Sequence, residues 1–284
     1  MNNIKTICVC GAGTMGSGIA QVAAMAGFAT IQFDVSVDML EKSRSAITKN
    51  LEWYVTKGKI NVAQQLACIE RIRFTSHIRD CIADLCIEAI TERKEDKAAL
   101  FSQLSVINTP ASIFATNTSS ISVTELAAAV QHPSRVVGLH FFNPAPLMQL
   151  VEVVKAAQTD TVVVEAMVTL TKLLGKIPVI CNDAPGFIVN RVARQYYLEA
   201  MKLVESGQAT VETIDAVMEA TGFKMGPFRL MDLIGIDINF AVSNIVWGAL
   251  GKPERLTPSP IQKAKLETGE LGRKTGKGFY EYGE

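Results

Sequence analysis

The sequence lacks a basic leader followed by an apolar run, and its 284 residues contain no long uninterrupted apolar segment. A secretory leader has the first feature, and a helix that spans a membrane needs about 20 consecutive apolar residues. We therefore expect no signal peptide, no transit peptide and no membrane span, and we expect a cytoplasmic location.

An excess of charge of one sign is also absent. The 28 Lys and Arg residues balance 28 Asp and Glu residues, so the formal net charge is zero. Proteins that bind nucleic acid or anionic membranes usually carry a basic excess. Nothing in this balance suggests nucleic acid or an anionic membrane as a partner, and the exception is a locally basic stretch at residues 42–59.

Metal-binding patterns are missing as well. None of the six cysteines forms a C-x-x-C pair, and the three histidines are not grouped with them at the spacing of metal ligands. Cys8 and Cys10 would share one face of the first strand, where small apolar side chains fit. The pattern favours reduced, mostly buried thiols and no metal site.

What the sequence does contain is a glycine-rich turn, Gly11-Ala12-Gly13-Thr14-Met15-Gly16. Residues 4–10 predict a buried strand before it, and residues 17–27 predict a helix of small apolar residues after it. A second strand, residues 29–33, ends on Asp34. This order of strand, glycines, helix, strand and acid is the fingerprint of a dinucleotide-binding fold.

The fingerprint assigns a physical task to each residue. Gly11 would allow the sharp turn, Gly13 the close approach of a pyrophosphate, and Gly16 the close packing of helix on sheet. The helix N-terminus would offer N–H groups to the phosphates. Asp34 would accept hydrogen bonds from the adenosine ribose and repel a 2′-phosphate, which favours NAD over NADP. The alternative is a purely structural glycine turn.

Strands and helices alternate along the rest of the first 185 residues. Two helices at residues 37–71, broken at Gly58, look like an insertion, and further strands are expected at residues 72–75, 85–89, 113–115, 135–142, 150–154 and 177–181. We predict an α/β fold in which residues 1–185 form a Rossmann-type, doubly wound, mostly parallel sheet with a helical insertion.

Helices alone follow the break at Pro185-Gly186. They are expected at residues 187–205, 211–221, 228–250 and 261–268, and glycines punctuate their ends. Residues 186–284 should therefore form a smaller all-α domain. The apolar face of residues 228–250 indicates burial in a core or against another subunit, which predicts a homodimer built through this domain.

His140 is the main candidate for chemistry. It lies near the end of a predicted strand, just before the break at Asn143-Pro144, and Glu152 lies on the next strand-like segment. A hairpin-like return would bring the carboxylate beside the imidazole, and a histidine held by a carboxylate is suited to act as a general base. The alternative is a core histidine with no catalytic role.

The whole chain resembles the short-chain L-3-hydroxyacyl-CoA dehydrogenase family, and the bacterial 3-hydroxybutyryl-CoA dehydrogenases in particular. The motifs that carry the resemblance lie at residues 11–16, 117–120, 140–146, 150–154, 183–191, 226–228, 232–237 and 272–280. The resemblance implies hydride transfer between a 3-hydroxyacyl-CoA and NAD. Rival interpretations are a dehydrogenase of a gulonate-like sugar acid on the same scaffold, and a non-catalytic NAD-binding protein.

Catalytic roles follow from the same resemblance. It implies that His140 is the catalytic base and Glu152 its carboxylate partner. It also implies that Ser119 contacts the substrate oxygen and the cofactor, and that Asn190 positions the substrate.

Further binding residues are also implied by the resemblance. Asn143 would lie near the nicotinamide, and Glu92, Lys97 and Lys274 would make other cofactor contacts. Lys57 would bind the phosphates of the acyl-CoA substrate, which gives the basic stretch a role.

Two positions depart from the family pattern. The family commonly has Glu-Asn where this chain has Glu92-Arg93, and Arg229 stands where the family has an acid. Arg93 places a charge next to an expected cofactor contact, which puts the local geometry in question but not the activity.

Overall fold

A computed structural model describes residues 4–283 of the chain. The chain divides into two compact units, and the division falls between Ala184 and Pro185. We refer to them as the N-terminal unit and the C-terminal unit.

An eight-stranded sheet forms the centre of the N-terminal unit, with the strand order β3-β2-β1-β4-β5-β6-β7-β8. Neighbouring strands run parallel except β6 and β7, which are antiparallel. This confirms the predicted mostly parallel, Rossmann-type sheet. The strands are β1 Thr6–Cys10, β2 Ala29–Phe33, β3 Ile72–Thr75, β4 Leu85–Glu88, β5 Ile113–Thr116, β6 Val136–Phe141, β7 Leu150–Lys155 and β8 Ile177–Asn182.

Six α-helices belong to the described part of this unit: α1 Thr14–Met25, α2 Val37–Thr56, α3 Val62–Glu70, α4 Lys94–Ile107, α5 Val123–Ala127 and α6 Thr161–Leu173. The predicted helical insertion is present as α2 and α3, between β2 and β3. Ser36 begins α2 by accepting a hydrogen bond from Met39 N. Asn61 and Gln64 form a capping box that begins α3, so the break near Gly58 has a local cause.

The central strands are buried along almost their whole length. Every residue of β4, β5 and β6 is buried, and so are the last four residues of β1. Parallel strands that are covered by helices on both faces have continuous apolar runs in their sequences. Each fully buried Ile, Leu or Val contributes about 1.5–3 kcal/mol, so this core holds the strand ends in fixed positions.

The C-terminal unit is helical, as expected. Its helices are α7 Val189–Glu205, α8 Val211–Ala220, α9 Pro227–Ile234, α10 Ile236–Ala249 and α11 Pro260–Glu267. The single helix expected at residues 228–250 is wrong, because Gly235 interrupts it with a φ of 102° and the two halves bend by 100°. Apolar periodicity continues across Gly235, so the pattern did not reveal the break.

Two buried aspartates organise this unit. Asp215 accepts hydrogen bonds from Phe228 N at 2.9 Å and Arg229 N at 3.0 Å, which caps the first turn of α9. Asp232 accepts from Phe279 N at 2.9 Å and from Tyr280 N at 3.0 Å. The second set of bonds fixes the C-terminal segment of the chain against α9.

Within residues 4–283, no single helix has both the length and the apolar character that crossing a membrane requires. The bent pair α9 and α10 satisfies both criteria only when its two helices are taken together.

Candidate active site

The glycine loop follows β1 and leads into α1. Gly11 has a φ of 110°, and a Cβ placed on it would lie 2.4 Å from the carbonyl oxygen of Ala89. A Cβ on Gly16 would lie 1.9 Å from the carbonyl oxygen of Gly11. Packing within the protein therefore excludes a side chain at both positions.

Gly13 has a different reason to be glycine. A Cβ placed there meets no protein atom within 4 Å, so protein packing does not require its absence. Gly13 is also the N-cap of α1, which has neither a side-chain cap nor an acidic residue in its first turn. An anion fits here, because it accepts bonds from the first N–H groups of the helix and can approach the bare backbone. The loop thus fits the pyrophosphate of NAD.

Asp34 lies beside this loop. Its Oδ2 accepts a hydrogen bond from Ala12 N at 2.8 Å, and its Oδ1 accepts one from Ser36 N at 2.9 Å. Two backbone donors thus hold the carboxylate at the end of β2. This placement suits a group that accepts hydrogen bonds from a ribose.

His140 and Glu152 occupy opposite positions on the antiparallel strands β6 and β7. Side chains of directly opposed residues extend from the same face of a sheet, and Nδ1 of His140 lies 2.7 Å from Oε2 of Glu152. His140 is 5% exposed and Glu152 is fully buried. An ionised Glu152 can only accept, and in that state Nδ1 carries the proton of this bond.

A network of charged side chains lies at the ends of β4 and β5. Lys97, which is 1% exposed, places its Nζ 2.5 Å from Oε1 of Glu88 and 3.1 Å from Oε2 of Glu92. Thr116 Oγ1 donates to Glu88 at 2.7 Å. Burial raises the pKa of Glu88, although the ammonium of Lys97 opposes this shift. Sequence reasoning did not select Glu88, and only its place at the end of a strand hinted at a role.

Glu92 connects this network to the loop that contains Ser119. Its Oε1 accepts from Thr118 Oγ1 at 2.6 Å, from Ser119 N at 2.9 Å and from Ser120 Oγ at 3.0 Å. Burial raises the pKa of Glu92, but the charge of Lys97 and these hydrogen bonds outweigh burial and lower it overall. The carboxylate therefore orders the turn after β5.

Asn143 lies in the turn between β6 and β7. The turn and the glycine loop together line a cavity of about 280 Å³, to which Gly13, Lys42, Asn50 and Asn143 contribute. A residue that sequence reasoning missed supports the turn: Lys176 is buried, and its Nζ donates to the carbonyl oxygens of Ala145, Pro146 and Met148. Burial lowers its pKa.

Lys57 is the C-cap of α2 and is exposed. It lies next to an aromatic pair that is covered by Lys59, and the Nζ atom of Lys59 lies 4.7 Å from the centroid of the Trp53 ring. Asn190 and Lys274 belong to the C-terminal unit. Asn190 is half-buried in the first turn of α7, and Lys274 Nζ lies 2.6 Å from Oδ1 of Asp237.

A doubly wound sheet whose glycine loop fits a pyrophosphate defines a dinucleotide-binding protein, and a histidine held by a carboxylate in the same sheet is suited to acid–base chemistry. The comparison with family models agrees with that class. The NAD-binding domain of 3-hydroxyacyl-CoA dehydrogenase matches residues 6–184, and the C-terminal domain of the same enzyme matches residues 186–282. The chain belongs to the 3-hydroxyacyl-CoA dehydrogenase family, and its cofactor is NAD.

Individual relatives agree with this assignment. A 3-hydroxyadipyl-CoA dehydrogenase of Escherichia coli is 46% identical over 284 residues, which cover 99% of this chain and 60% of the relative. A probable 3-hydroxybutyryl-CoA dehydrogenase of Deinococcus radiodurans is 41% identical, with 96% of this chain and 99% of the relative covered. The chain thus spans about three fifths of the first relative and nearly all of the second.

Solved structures give the same result. The crystal structure of a 3-hydroxybutyryl-CoA dehydrogenase from Escherichia coli K12 matches with a TM-score of 0.96 at 46% identity, covering 99% of this chain and 60% of that one. The (S)-3-hydroxybutyryl-CoA dehydrogenase of Ralstonia eutropha matches with a TM-score of 0.95 at 35% identity, covering 99% of this chain and all of the other.

Proposed function

We propose that this protein interconverts (S)-3-hydroxyacyl-CoA and 3-ketoacyl-CoA with NAD as cofactor, and that 3-hydroxybutyryl-CoA is its substrate. The observation that carries the proposal is the buried His140–Glu152 pair, 2.7 Å apart, in the same unit as a glycine loop that fits a pyrophosphate. The basic stretch around Lys57 suits an anionic CoA ester. A structural glycine turn does not account for this stretch, and a sugar-acid dehydrogenase does not account for it either.

The acid–base step is assigned to the histidine. His140 takes the proton of the substrate 3-hydroxyl on Nε2, the ring nitrogen that does not face Glu152. Glu152 holds the ring through Nδ1 and stabilises the imidazolium that forms. In the reverse direction the same nitrogen returns the proton to the ketone oxygen. NAD, when bound, supplies the acceptor for the hydride from C3.

The remaining assigned residues bind and orient. Ser119 would hold the substrate oxygen, and Asn190 would position the substrate, so that the reacting groups are held in line. Asp34 and the glycine loop would bind the adenosine half of NAD, and Asn143 would lie by its nicotinamide. Glu92 has a second task besides any cofactor contact, because it orders the backbone of Ser119.

Lys97 and Lys274 are assigned to the cofactor site, where they would support the binding of NAD. Lys97 keeps Glu88 and Glu92 together, so it acts on the cofactor site through these carboxylates as well as through its own charge. Lys274 is held by Asp237, which would set the direction from which the ammonium approaches a ligand.

A dicarboxylic acyl-CoA is the second candidate substrate. The Escherichia coli relative carries the name 3-hydroxyadipyl-CoA dehydrogenase at 46% identity. A matched pair of substrates separates the candidates: 3-ketoadipyl-CoA and 3-ketohexanoyl-CoA have acyl chains of equal length and differ in the terminal carboxylate. A kcat/KM at least tenfold higher for 3-ketoadipyl-CoA than for both 3-ketohexanoyl-CoA and acetoacetyl-CoA would replace 3-hydroxybutyryl-CoA as the substrate.

We also propose that the protein is a cytoplasmic homodimer built through the C-terminal unit. Apolar side chains of α9 and α10 are left open to solvent in the single chain: Leu233 is 50% exposed, Ile238 49% and Ile245 41%. An apolar face of this kind marks an interaction surface. A second copy would cover it, and a monomer with full activity in dilute solution would contradict the proposal.

The direct test follows NADH oxidation with acetoacetyl-CoA at fixed pH. The proposal predicts turnover by the wild-type chain and a loss of about 10²–10⁴-fold in His140→Ala, with NADH binding retained. NADH binding without turnover of any 3-ketoacyl-CoA would instead support a non-catalytic NAD-binding protein. Turnover of a sugar acid but not of acyl-CoA would support the other rival.

A further inference from the structure

Three thiols lie together in the N-terminal unit, and one of them, Cys10, directly precedes the glycine loop. Cys8 and Cys10 extend from the same face of β1, with Sγ atoms 3.8 Å apart. Cys81 joins them from the loop before β4, and the three Sγ atoms all lie within 4.8 Å of one another. All three residues are fully buried. We call this group the thiol cluster.

We propose that the thiol cluster is a binding site for a thiophilic d¹⁰ cation, and that this cation is Cu(I). Thiolate bonds to such an ion are about 2.3 Å long, as for zinc, so two thiolates on one ion lie roughly 3.8–4.0 Å apart. Cys8 and Cys10 already have that separation. An equilateral triangle with sides of about 3.8–4.8 Å has its centre roughly 2.2–2.8 Å from each sulfur, so an ion fits with small shifts of the side chains.

The donor set selects the ion. The cluster offers sulfur alone, with no carboxylate or imidazole among its three members. Soft thiolate ligands select Cu(I), zinc and iron–sulfur centres, and structural zinc sites almost always have four protein ligands. Three thiolates therefore favour Cu(I). Zinc would need a fourth thiol, and Cys86 is the candidate because it pairs with Cys8 in the register of β1 and β4.

The loop that carries Cys81 provides a route for the ion. Cys81 follows the short 3₁₀ helix Ile78–Asp80, and the next residue, Ile82, is 61% exposed. The side chain of Asn108 holds the loop down, donating to Cys81 O at 2.9 Å and accepting from Ala83 N at 2.9 Å. Cys81 lies outside the strands, so the route we assign to the ion is an opening of this loop with the sheet left intact. Binding then releases the thiol protons to solvent, and no change of oxidation state is needed.

The test is an anaerobic titration of the reduced 284-residue chain with Cu(I) in competition with a coloured Cu(I) chelator. We expect one equivalent to bind with thiolate-to-copper charge-transfer absorption in the near ultraviolet. Cys81→Ser should weaken binding at least tenfold. Cys68→Ser should leave it unchanged, since Cys68 is an equally buried thiol on α3, outside the cluster. No retained copper in the wild-type chain, or equal affinity in Cys81→Ser, would overturn the proposal.

A buried serine can unfold a variant, so a second measurement uses the wild-type chain alone. X-ray absorption of the copper-loaded protein should give three sulfur neighbours at about 2.3 Å. Nitrogen or oxygen neighbours instead would place the copper elsewhere and overturn the assignment. Zinc is the comparison ion: tighter binding of Zn(II) than of Cu(I), lost in Cys86→Ser, would overturn the choice of Cu(I).

Discussion

Nδ1 of His140 lies 2.7 Å from Oε2 of Glu152 because the two residues face each other across the antiparallel strands β6 and β7. The contact is thus determined by strand register, and neither side chain depends on a flexible loop for its position. A shift of one residue in the register would move one of the two side chains to the other face of the sheet. The proposed acid–base pair is therefore built on two paired strands of the central sheet.

Asp34→Ala should weaken NAD binding much more than NADP binding. The variant loses the acceptor for the ribose hydroxyls, and it also loses the negative charge that would repel a 2′-phosphate. Dissociation constants for both cofactors, measured by fluorescence titration, test this. Asp38→Ala is the control, an exposed carboxylate in the first turn of α2. Equal losses of affinity for NAD and NADP would show that Asp34 does not recognise the adenosine ribose.

Two glycines of one loop should respond differently to alanine. Gly16→Ala places a Cβ 1.9 Å from the Gly11 carbonyl oxygen, so the melting temperature should fall, with a loss of at least about 1–3 kcal/mol of stability. Gly13→Ala meets no protein atom and should melt near the wild-type temperature but bind NADH more weakly. Unchanged NADH affinity in a folded Gly13→Ala variant would remove the pyrophosphate from this position.

Glu92→Gln should reduce activity and change the response to acid. Because the folded-state pKa of Glu92 is lowered, this carboxylate contributes stability above the ordinary pKa of a glutamate, and the contribution disappears as the pH falls through the lowered value. The variant should be less stable than the wild type at neutral pH, and its stability should fall less than that of the wild type when the pH is lowered. Thermal melts across the acid range measure this, with the exposed Glu95→Gln as control. Parallel curves for wild type and Glu92→Gln would contradict the assignment.

Lys57→Ala should raise the KM for acyl-CoA and leave the KM for NADH nearly unchanged. An exposed charge contact is worth about 1 kcal/mol or less, so the change should be several-fold at most and should shrink as salt is added. Lys172→Ala, an exposed lysine on α6, is the matched control. If low-salt kinetics of the Lys57 variant equal those of wild type, the CoA phosphates bind elsewhere, with Lys49 and Lys59 as the next candidates.

Local sequence signals predicted much of this molecule. The glycine loop and the buried strands each have a cause within a few residues, so pattern alone could find them. The kink at Gly235 was missed because the apolar periodicity continues on both sides of this residue. A glycine within a helical pattern does not by itself predict a positive φ, which is 102° here.

Contacts between distant segments of the chain were the other feature that could not be predicted from the sequence. Lys97 lies between Glu88 and Glu92 only after α4 has packed on the sheet, and Lys176 reaches the turn at residues 145–148 from the start of β8. Cys81 meets Cys8 and Cys10 through the fold alone, since no cysteine spacing suggests it. The pairing of His140 with Glu152 could be expected because only a short turn separates their strands.

The most direct test of the account is a double-mutant cycle on His140 and Glu152. General acid–base catalysis contributes about 10²–10⁴-fold, so His140→Ala and Glu152→Gln should each lower kcat strongly while NADH binding survives.

The double variant should lose little more than His140→Ala alone, because without the imidazole the carboxylate has nothing to orient. In Glu152→Gln the pH midpoint of hydroxyacyl-CoA oxidation should move to lower pH, since the charge that stabilises the imidazolium is gone. Multiplicative losses in the double variant, or an unmoved midpoint in Glu152→Gln, would show that the two residues act independently and would contradict the proposed pair.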